Sequence, residues 1–189
     1  MKKIFKIASV AIIALMANTA FAQVTTQQDQ ATTILNVNLA GTYEITVGQT
    51  SVDIDMNDPQ HFIAGNDSGT QANHVRVSAT GDYQVNVSAT GELMFGTNSI
   101  PVSTVTVTPT LGSYLGAGTS TAPTMTLTAQ PLATVTALPA GSTIISSTAG
   151  ESLRGFDVVY AIPDTQAAQY LNKPEGTYTT TVTYTLYSL

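Results

Sequence analysis

The sequence predicts an all-β protein built as a two-sheet, mainly antiparallel sandwich. Thr, Val, Ser, Ala and Gly dominate the chain, and no helical periodicity follows the N-terminal region. Apolar and polar residues instead alternate with a period of two in many short runs, which is typical of half-buried strands. Clusters of Gly, Pro, Asn and Asp separate these runs, as expected for the many short strands of a sandwich.

The N-terminal region has the three parts of a secretory signal peptide. Residues 1–6 contain three lysines, residues 7–17 are apolar, and Ala20-Phe21-Ala22 is a small-x-small cleavage site. We therefore expect residues 1–22 to be removed as a signal peptide. Residues 23–189 are long enough for a single sandwich domain, exported to the cell surface, the extracellular space or the periplasm.

Charge and composition exclude several classes of function. Only Arg76, Arg154 and Lys173 are basic after residue 22, against twelve acidic residues, which gives residues 23–189 a net charge of −9. Such a surface repels phosphate backbones and anionic lipids, so we expect no nucleic-acid partner. No apolar run is long enough for an integral membrane span, and the absence of cysteine excludes disulfides and thiol catalysis.

The strands predicted before residue 72 are short. Their apolar residues are Leu35, Val37 and Leu39, then Tyr43, Ile45 and Val47, then Val52 and Ile54. Residues 23–33 form a polar lead before the first of them, so residues 23–39 suit either the first strand of the domain or a segment donated to a neighbouring sheet. Asn, Asp, Pro and Gly predict a loop over residues 57–71.

The middle of the chain predicts a β-hairpin. Val75, Val77 and Ala79 alternate before a turn at Thr80-Gly81-Asp82, and a second set follows it, formed by Tyr83, Val85, Val87 and Ala89. The same alternation places His74 on the polar side of its strand, so we expect a surface histidine there.

The second half predicts further strands and one short helical turn. The strands centre on Ile100 to Val107 with a register change at Ser103-Thr104, on Met125 and Leu127, on Ile144-Ile145, on Phe156, Val158 and Tyr160, and on Thr181 to Leu189. Residues 109–123 are expected to form a loop, and residues 165–170 a helical turn.

One acidic segment is the candidate metal site. Asp53, Asp55, Asn57 and Asp58 could supply oxygen ligands to Ca²⁺, with Asp67 completing a site. The segment departs from a helix–loop–helix calcium loop, because Asp58 falls where such a loop needs Gly and Ala64 where it needs Glu. We therefore expect a solvated strand end here, with bound Ca²⁺ as the alternative and no other cofactor.

The sequence offers no catalytic apparatus. The two histidines, His61 and His74, are not accompanied by a zinc-binding motif, and no G-x-S-x-G elbow surrounds any serine. Because no nucleophile, base and orienting group can be assembled, we expect a protein that is not an enzyme.

Two stretches resemble bacterial surface families. The run from Gly176 to Leu186 resembles the last strand of WxL domains, with Tyr184-Thr185-Leu186 in place of Trp-x-Leu, and of the spore-coat-U-like pilins of archaic chaperone–usher systems. The stretch from Asn73-His74-Val75-Arg76-Val77 to Asn98-Ser99-Ile100-Pro101-Val102-Ser103 is similar to WxL-like secreted proteins. The resemblance implies a non-catalytic, immunoglobulin-like surface protein.

Export, an acidic surface and the absence of a catalytic set favour a structural or adhesive protein at the cell surface. Its partners would be copies of itself in a pilus-like fibre, or other surface proteins. The residues expected to mediate assembly by strand donation are Leu35, Val37 and Leu39 in the N-terminal segment, and Val182, Tyr184 and Leu186 in the C-terminal strand. The alternative is a module that binds glycan or protein through some of the eight tyrosines.

Overall fold

Alternating apolar residues form the facing sides of two β-sheets, which confirms the predicted all-β, mainly antiparallel sandwich. The computed structural model describes residues 30–118, 120–135 and 141–189. Residues 39–189 make up one compact unit, and residues 30–38 belong to a separate unit. The predicted signal peptide lies outside the described residues.

Twelve strands are formed by the described residues. In chain order they are β1 Tyr43–Val47, β2 Gly65–Asp67, β3 Gln71–Ala79, β4 Tyr83–Ala89, β5 Leu93–Phe95, β6 Asn98–Ile100, β7 Thr106–Tyr114, β8 Met125–Leu127, β9 Gln130–Pro131, β10 Ser142–Ser147, β11 Glu151–Pro163 and β12 Val182–Ser188. The helices are short: α1 His61–Ala64, α2 Asp164–Ala167, and 3₁₀ turns at Val102–Thr104 and Ala168–Tyr170.

The strands are distributed over two larger sheets and one ribbon. Sheet A has the order β1-β3-β11-β7-β9, and β2 pairs with the end of β11. Sheet B has the order β12-β4-β10-β8, and β5 pairs with β6 in the ribbon. All these strand pairs are antiparallel. Among the described strands, β1 and β12 are therefore edge strands of different sheets.

The core lies between the inner faces of sheets A and B. Sheet A contributes Val75, Val77, Val107, Phe156 and Val158, and sheet B contributes Val85, Val87, Ile144 and Ile145. Each of these side chains is at most 1% exposed. The period-two alternation of the sequence therefore identified the inner faces of β3, β4 and β11 correctly, since side chains of a strand alternate between its two faces.

The predicted hairpin at residues 75–89 is wrong as a pairing, although both strands exist. β3 pairs with β1 and β11, whereas β4 pairs with β10 and β12. The residues between them carry the chain from sheet A to sheet B. Both strands have a strongly apolar face, and stacking these faces across the core buries both of them.

Other boundaries also differ from the sequence prediction. β7 continues to Tyr114, inside the loop predicted at residues 109–123, and α1 lies inside the predicted loop 57–71. Val52 and Ile54 alternate in burial as expected, but residues 51–57 pair with no described strand. The predicted helical turn at residues 165–170 is confirmed by α2 and the 3₁₀ turn that follows it.

A β-bulge interrupts β3 near its start. The ladder between β3 and β11 pairs Val75 with Phe156 but Gln71 with Val158, so two extra residues lie on β3. Asn73 takes a positive φ of 47° within the bulge. Its side-chain oxygen accepts a hydrogen bond from the backbone N–H of Ser113 at 2.9 Å, and its own N–H donates to Asp157 Oδ1 at 2.6 Å.

We expect Gly155→Ala to lower the free energy of unfolding by about 2–3 kcal/mol, because a Cβ there meets a packed neighbour. That Cβ would lie 2.1 Å from Oδ1 of Asn73, which the bulge holds in place. Gly91→Ala is the matched control, since a Cβ at Gly91 meets nothing within 4 Å. Urea denaturation measures both variants, and equal effects would contradict the role assigned to the bulge.

Residues 30–42 form neither a helix nor a strand, and every one of them is exposed. The structure therefore contains no strand at Leu35, Val37 and Leu39. Their exposed fractions are 84%, 72% and 93%. A segment with alternating apolar side chains that buries none of them contributes little to the stability of its own chain.

Candidate functional site

The candidate site is the side of the sandwich where β1 and β12 lie next to each other, which we call the open flank. No described strand pairs with the outer edge of either β1 or β12. Unpaired edges of this kind present a row of backbone N–H and C=O groups that can pair with another extended chain.

The apolar side chains of β1 face the interior but are only partly covered by the described residues, and Ile45 between them packs against the core. Tyr43, Ile45 and Val47 stand opposite Ala79, Val77 and Val75 in the ladder and therefore share their core-facing side. The partners on β3 are buried, whereas Tyr43 is 40% and Val47 is 46% exposed. The core thus reaches the surface along β1.

The predicted assembly residues of the C-terminal strand also lie on its inner face. Val182, Tyr184 and Leu186 stand opposite Ala89, Val87 and Val85, all of which are buried. Tyr184 is buried, while Val182 and Leu186 are only partly buried against the core. The structure therefore places these three side chains together on one face, along the unpaired edge of β12.

A buried polar network lies at the inner side of the open flank. Gln49, which follows β1, accepts a hydrogen bond through Oε1 from Nδ1 of His74 at 2.6 Å. Nε2 of His74 lies 2.9 Å from the hydroxyl of Tyr160, and that hydroxyl lies 2.6 Å from the hydroxyl of Tyr184. The network connects β3 and β11 of sheet A to β12 of sheet B.

The prediction of a surface histidine at position 74 is wrong. His74 is 2% exposed, and its ring packs edge-on against the rings of Tyr160 and Tyr184. The bulge at Asn73 breaks the alternation that had placed His74 on the polar face. Burial lowers the pKa of His74 below its ordinary value, because desolvation disfavours the charged imidazolium, and burial raises the pKa of Tyr160 and Tyr184.

A buried ion pair lies near the start of β11. Arg154 Nε donates to Glu151 Oε2 at 2.8 Å, a second guanidinium nitrogen bonds Oε1, and Ser120 Oγ donates to Oε1 at 2.7 Å. The Arg154 guanidinium lies 5.3 Å from the ring centroid of Tyr114. Both carboxylate oxygens and two of the three guanidinium nitrogens are bonded within the pair, so the pair is a structural element and its buried side chains are not exposed for binding.

The predicted calcium ligands do not form a cluster. Asp53, Asp55, Asn57, Asp58 and Asp67 are all exposed. Asp58 and Asp67 accept hydrogen bonds from the backbone N–H groups of residues 60 and 69, which are local turn contacts. Within the described ranges, no group of three or more His, Cys, Asp or Glu residues is arranged to hold a metal ion.

Comparison with known proteins adds no assignment, since no family model and no curated protein matches the chain. In the part of the chain that the structure describes, no helix is both long and apolar enough to cross a membrane.

Sequence reasoning missed the open flank, the polar network and the ion pair. The sequence contained one indication of the polar network, since Asn at position 73 readily adopts the positive φ of a bulge. The sequence also contained one indication of the ion pair, because Arg154 is one of only three basic residues after residue 22.

Proposed function

We propose that this protein is an exported, non-enzymatic subunit of a cell-surface structure, and that copies of it assemble by strand donation. The N-terminal segment of one copy, residues 23–39, enters the open flank of the next copy and pairs with the edge of β12. The proposal agrees with the resemblance of the C-terminal strand to those of WxL domains and spore-coat-U-like pilins.

The observation that carries the proposal is the incomplete closure of the core between β1 and β12. Tyr43 and Val47 leave 40% and 46% of their surface exposed on the side where their ladder partners are buried. An added strand would cover these side chains and satisfy the backbone edge of β12. Such β-augmentation takes affinity from main-chain hydrogen bonds and specificity from alternate side chains.

The N-terminal segment has the properties that a donated strand needs. Leu35, Val37 and Leu39 alternate with Asn36 and Asn38, so an extended conformation puts all three apolar side chains on one face. Residues 33–39 match the seven residues of β12 in number. Residues 30–39 contain no charged residue that would have to be buried in the flank, and the one acidic residue of the segment, Asp29, precedes them.

Donation between copies is favoured over pairing within one chain. Within the described residues, every one from 30 to 39 is exposed, and Leu35, Val37 and Leu39 keep most of their surface free of their own chain. The apolar area of Leu35, Val37 and Leu39 is available for a partner. Burying each of these side chains in another copy would stabilise the assembly by about 1.5–3 kcal/mol.

Replacing Leu35 and Val37 by aspartate should reduce self-association at least about 100-fold, because two buried apolar contacts are lost at about 1.5 kcal/mol each. The matched control is N36D/N38D, which adds the same two charges to the same segment at positions facing away from the flank. Size-exclusion chromatography with light scattering and negative-stain microscopy measure assembly. At a dilution where the native protein is monomeric, the melting temperature should be the same in the native protein and in both variants, since all four side chains are exposed.

Ladders or filaments of the unmodified protein that are lost in L35D/V37D and kept in N36D/N38D would support strand donation. A monomer at every concentration, or equal loss in both variants, would contradict it. A lower melting temperature in L35D/V37D alone, measured at the dilution where the native protein is monomeric, would show that the segment pairs within its own chain.

One observation favours a glycan-binding surface as the second candidate. Phe95 on β5 and Tyr178 form a tilted aromatic pair with ring centroids 5.6 Å apart, and Phe95 and its neighbour Met94 are 39% and 42% exposed. Exposed aromatic faces stack on the apolar faces of sugars. A glycan array with the native protein and with Tyr178→Ala tests this candidate, and no binding by the native protein would remove it.

A further inference from the structure

The network of Gln49, His74, Tyr160 and Tyr184 has a definite direction of hydrogen bonding. Gln49 Nε2 lies 3.4 Å from the carbonyl of Ala72 and donates to it, so Oε1 faces His74 and accepts from Nδ1–H. Nε2 of the neutral imidazole therefore carries the lone pair and accepts from the hydroxyl of Tyr160. The Tyr160 oxygen in turn accepts from the hydroxyl of Tyr184.

Protonation of His74 is incompatible with this arrangement. An imidazolium donates from both nitrogens, so Nε2 would donate to Tyr160 instead of accepting from it. Either the Tyr160 hydroxyl would lose its acceptor, or it would donate to Tyr184 and leave the Tyr184 hydroxyl without one. The network would hold a buried positive charge and an unpaired hydroxyl, both of which are costly in a protein interior.

The charges around His74 do not compensate an imidazolium. The groups that face its ring are Tyr160 from β11, Tyr184 from β12 and the neutral amide of Gln49. Two charged groups bond Asn73, the residue next to His74: Asp157 accepts from the backbone N–H of Asn73, and the exposed Arg76 donates to the Asn73 carbonyl at 3.2 Å. In the described ranges no carboxylate contacts the His74 ring.

We propose that His74, Tyr160 and Tyr184 form a proton-operated latch, which holds β12 against sheet A while His74 is neutral and loosens β12 when His74 is protonated. Tyr184 connects β12 to sheet A through this chain, since its hydroxyl bonds a residue of β11 across the core. The latch is independent of whether copies of the chain assemble, and it would act on an edge strand of the open flank in either case.

The latch predicts a loss of stability on mild acidification. His74 has a lowered pKa in the folded protein, so the unfolded chain takes up a proton at the ordinary histidine pKa while the folded chain does not. The contribution is fully present above about pH 6.5 and is lost as the pH falls toward the pKa of the folded state. In that window the folding equilibrium constant should fall as the pH falls, by at most about tenfold per pH unit, because of His74 alone.

The first experiment compares the pH dependence of stability in the native protein, in His74→Gln and in His61→Gln. Urea denaturation between pH 5.5 and 7.5, a range at which carboxylates with ordinary pKa values remain ionised, isolates the histidines. We expect the folding equilibrium constant to fall by up to about tenfold in total between pH 7.5 and pH 5.5 in the native protein and in H61Q, with most of the fall below pH 6.5, and no such fall in H74Q. Equal pH dependence in H74Q and the native protein would overturn the latch.

The second experiment does not require H74Q to fold. In H61Q the only remaining histidine is His74, so NMR of its ring reports one titration, and hydrogen exchange reports the amides of β12 and of β10 in the same sheet. We expect the ring to stay neutral below the pH at which a free histidine titrates. We also expect β12 amides to exchange faster than β10 amides as the pH falls, after correction for the intrinsic pH dependence of exchange.

Tyr184→Phe removes the hydroxyl at the end of this hydrogen-bond chain and keeps the aromatic ring in the core. It should raise the exchange of β12 amides about fivefold to tenfold at neutral pH, the equivalent of one lost hydrogen bond, and abolish the extra rise on acidification. An imidazole that titrates at the ordinary pKa in the folded protein, or β12 amides that follow β10 amides at every pH, would overturn the proposal.

Discussion

Replacing Arg154 by alanine is expected to lower the free energy of unfolding by about 3–5 kcal/mol, because it leaves the buried carboxylate of Glu151 without its charged partner. Glu151 is 8% and Arg154 is 4% exposed. The substitution also removes the contact of the guanidinium with Tyr114. Chemical denaturation of the variant at neutral pH measures the effect, which would be a large share of the stability of an ordinary domain.

The pH dependence of R154A separates an orphaned charge from lost packing. Burial on its own raises the pKa of Glu151, but hydrogen bonds from Arg154 and Ser120, together with the charge of Arg154, hold the pKa below its ordinary value. The pair therefore contributes stability that is present above the ordinary carboxyl pKa and is lost as the pH falls through the lowered one. Without Arg154 the carboxyl pKa rises, so the deficit of R154A should shrink at acidic pH.

Two control variants sharpen this prediction. Arg76→Ala removes an exposed arginine and should change stability by no more than about 0.5 kcal/mol. The double variant E151L/R154M replaces both charges by apolar side chains and should recover most of the loss. An R154A variant as stable as R76A, or a deficit that does not depend on pH, would contradict the buried ion pair.

The sequence predicted the parts of the fold that depend on local alternation. Val75 and Val77 on β3, and Phe156 and Val158 on β11, are buried as their period-two pattern required. The pattern was sufficient because both strands lie inside sheet A, where one face must be covered by the core. It could not distinguish a hairpin from two strands in different sheets, since both arrangements bury the same faces of β3 and β4.

The bulges could not be predicted from alternation, because they interrupt it. His74 is buried because the bulge at Asn73 shifts its position on β3. A second irregularity lies between Glu151 and Arg154, where Leu153 takes a positive φ of 50°. It allows two charged residues three positions apart to bond each other inside the protein, which a regular strand would place on opposite faces.

The candidate site could be predicted only in part. Leu35, Val37 and Leu39 were identified from their alternation, and so were Val182, Tyr184 and Leu186. The open flank is a property of strand order, because it exists only if β1 and β12 end their sheets next to each other. Strand order depends on long-range pairing, to which the local pattern is insensitive. The function of these residues in assembly stays a prediction.

Replacing Phe156 by alanine is also expected to cost about 3–5 kcal/mol, because it removes a large side chain from a core that cannot collapse around the gap. Phe156 is fully buried, and it stands opposite Val75 in one ladder and Leu111 in the other. Leu111 is 47% exposed. Leu111→Ala is therefore the matched control, with an expected loss below about 1 kcal/mol measured in the same urea titration.

The two variants also separate the stability of the sandwich from the function of its open flank. β1 and β12 are kept adjacent by the core that Phe156 fills, but neither Phe156 nor Leu111 belongs to the flank or to the N-terminal segment. At a temperature where F156A is still folded, it should assemble as the native protein does, whereas L35D/V37D should be as stable as the native monomer and fail to assemble. Loss of assembly in folded F156A would mean that the open flank depends on the packing of the core. Equal stability of F156A and L111A would contradict the placement of Phe156 at the centre of the core.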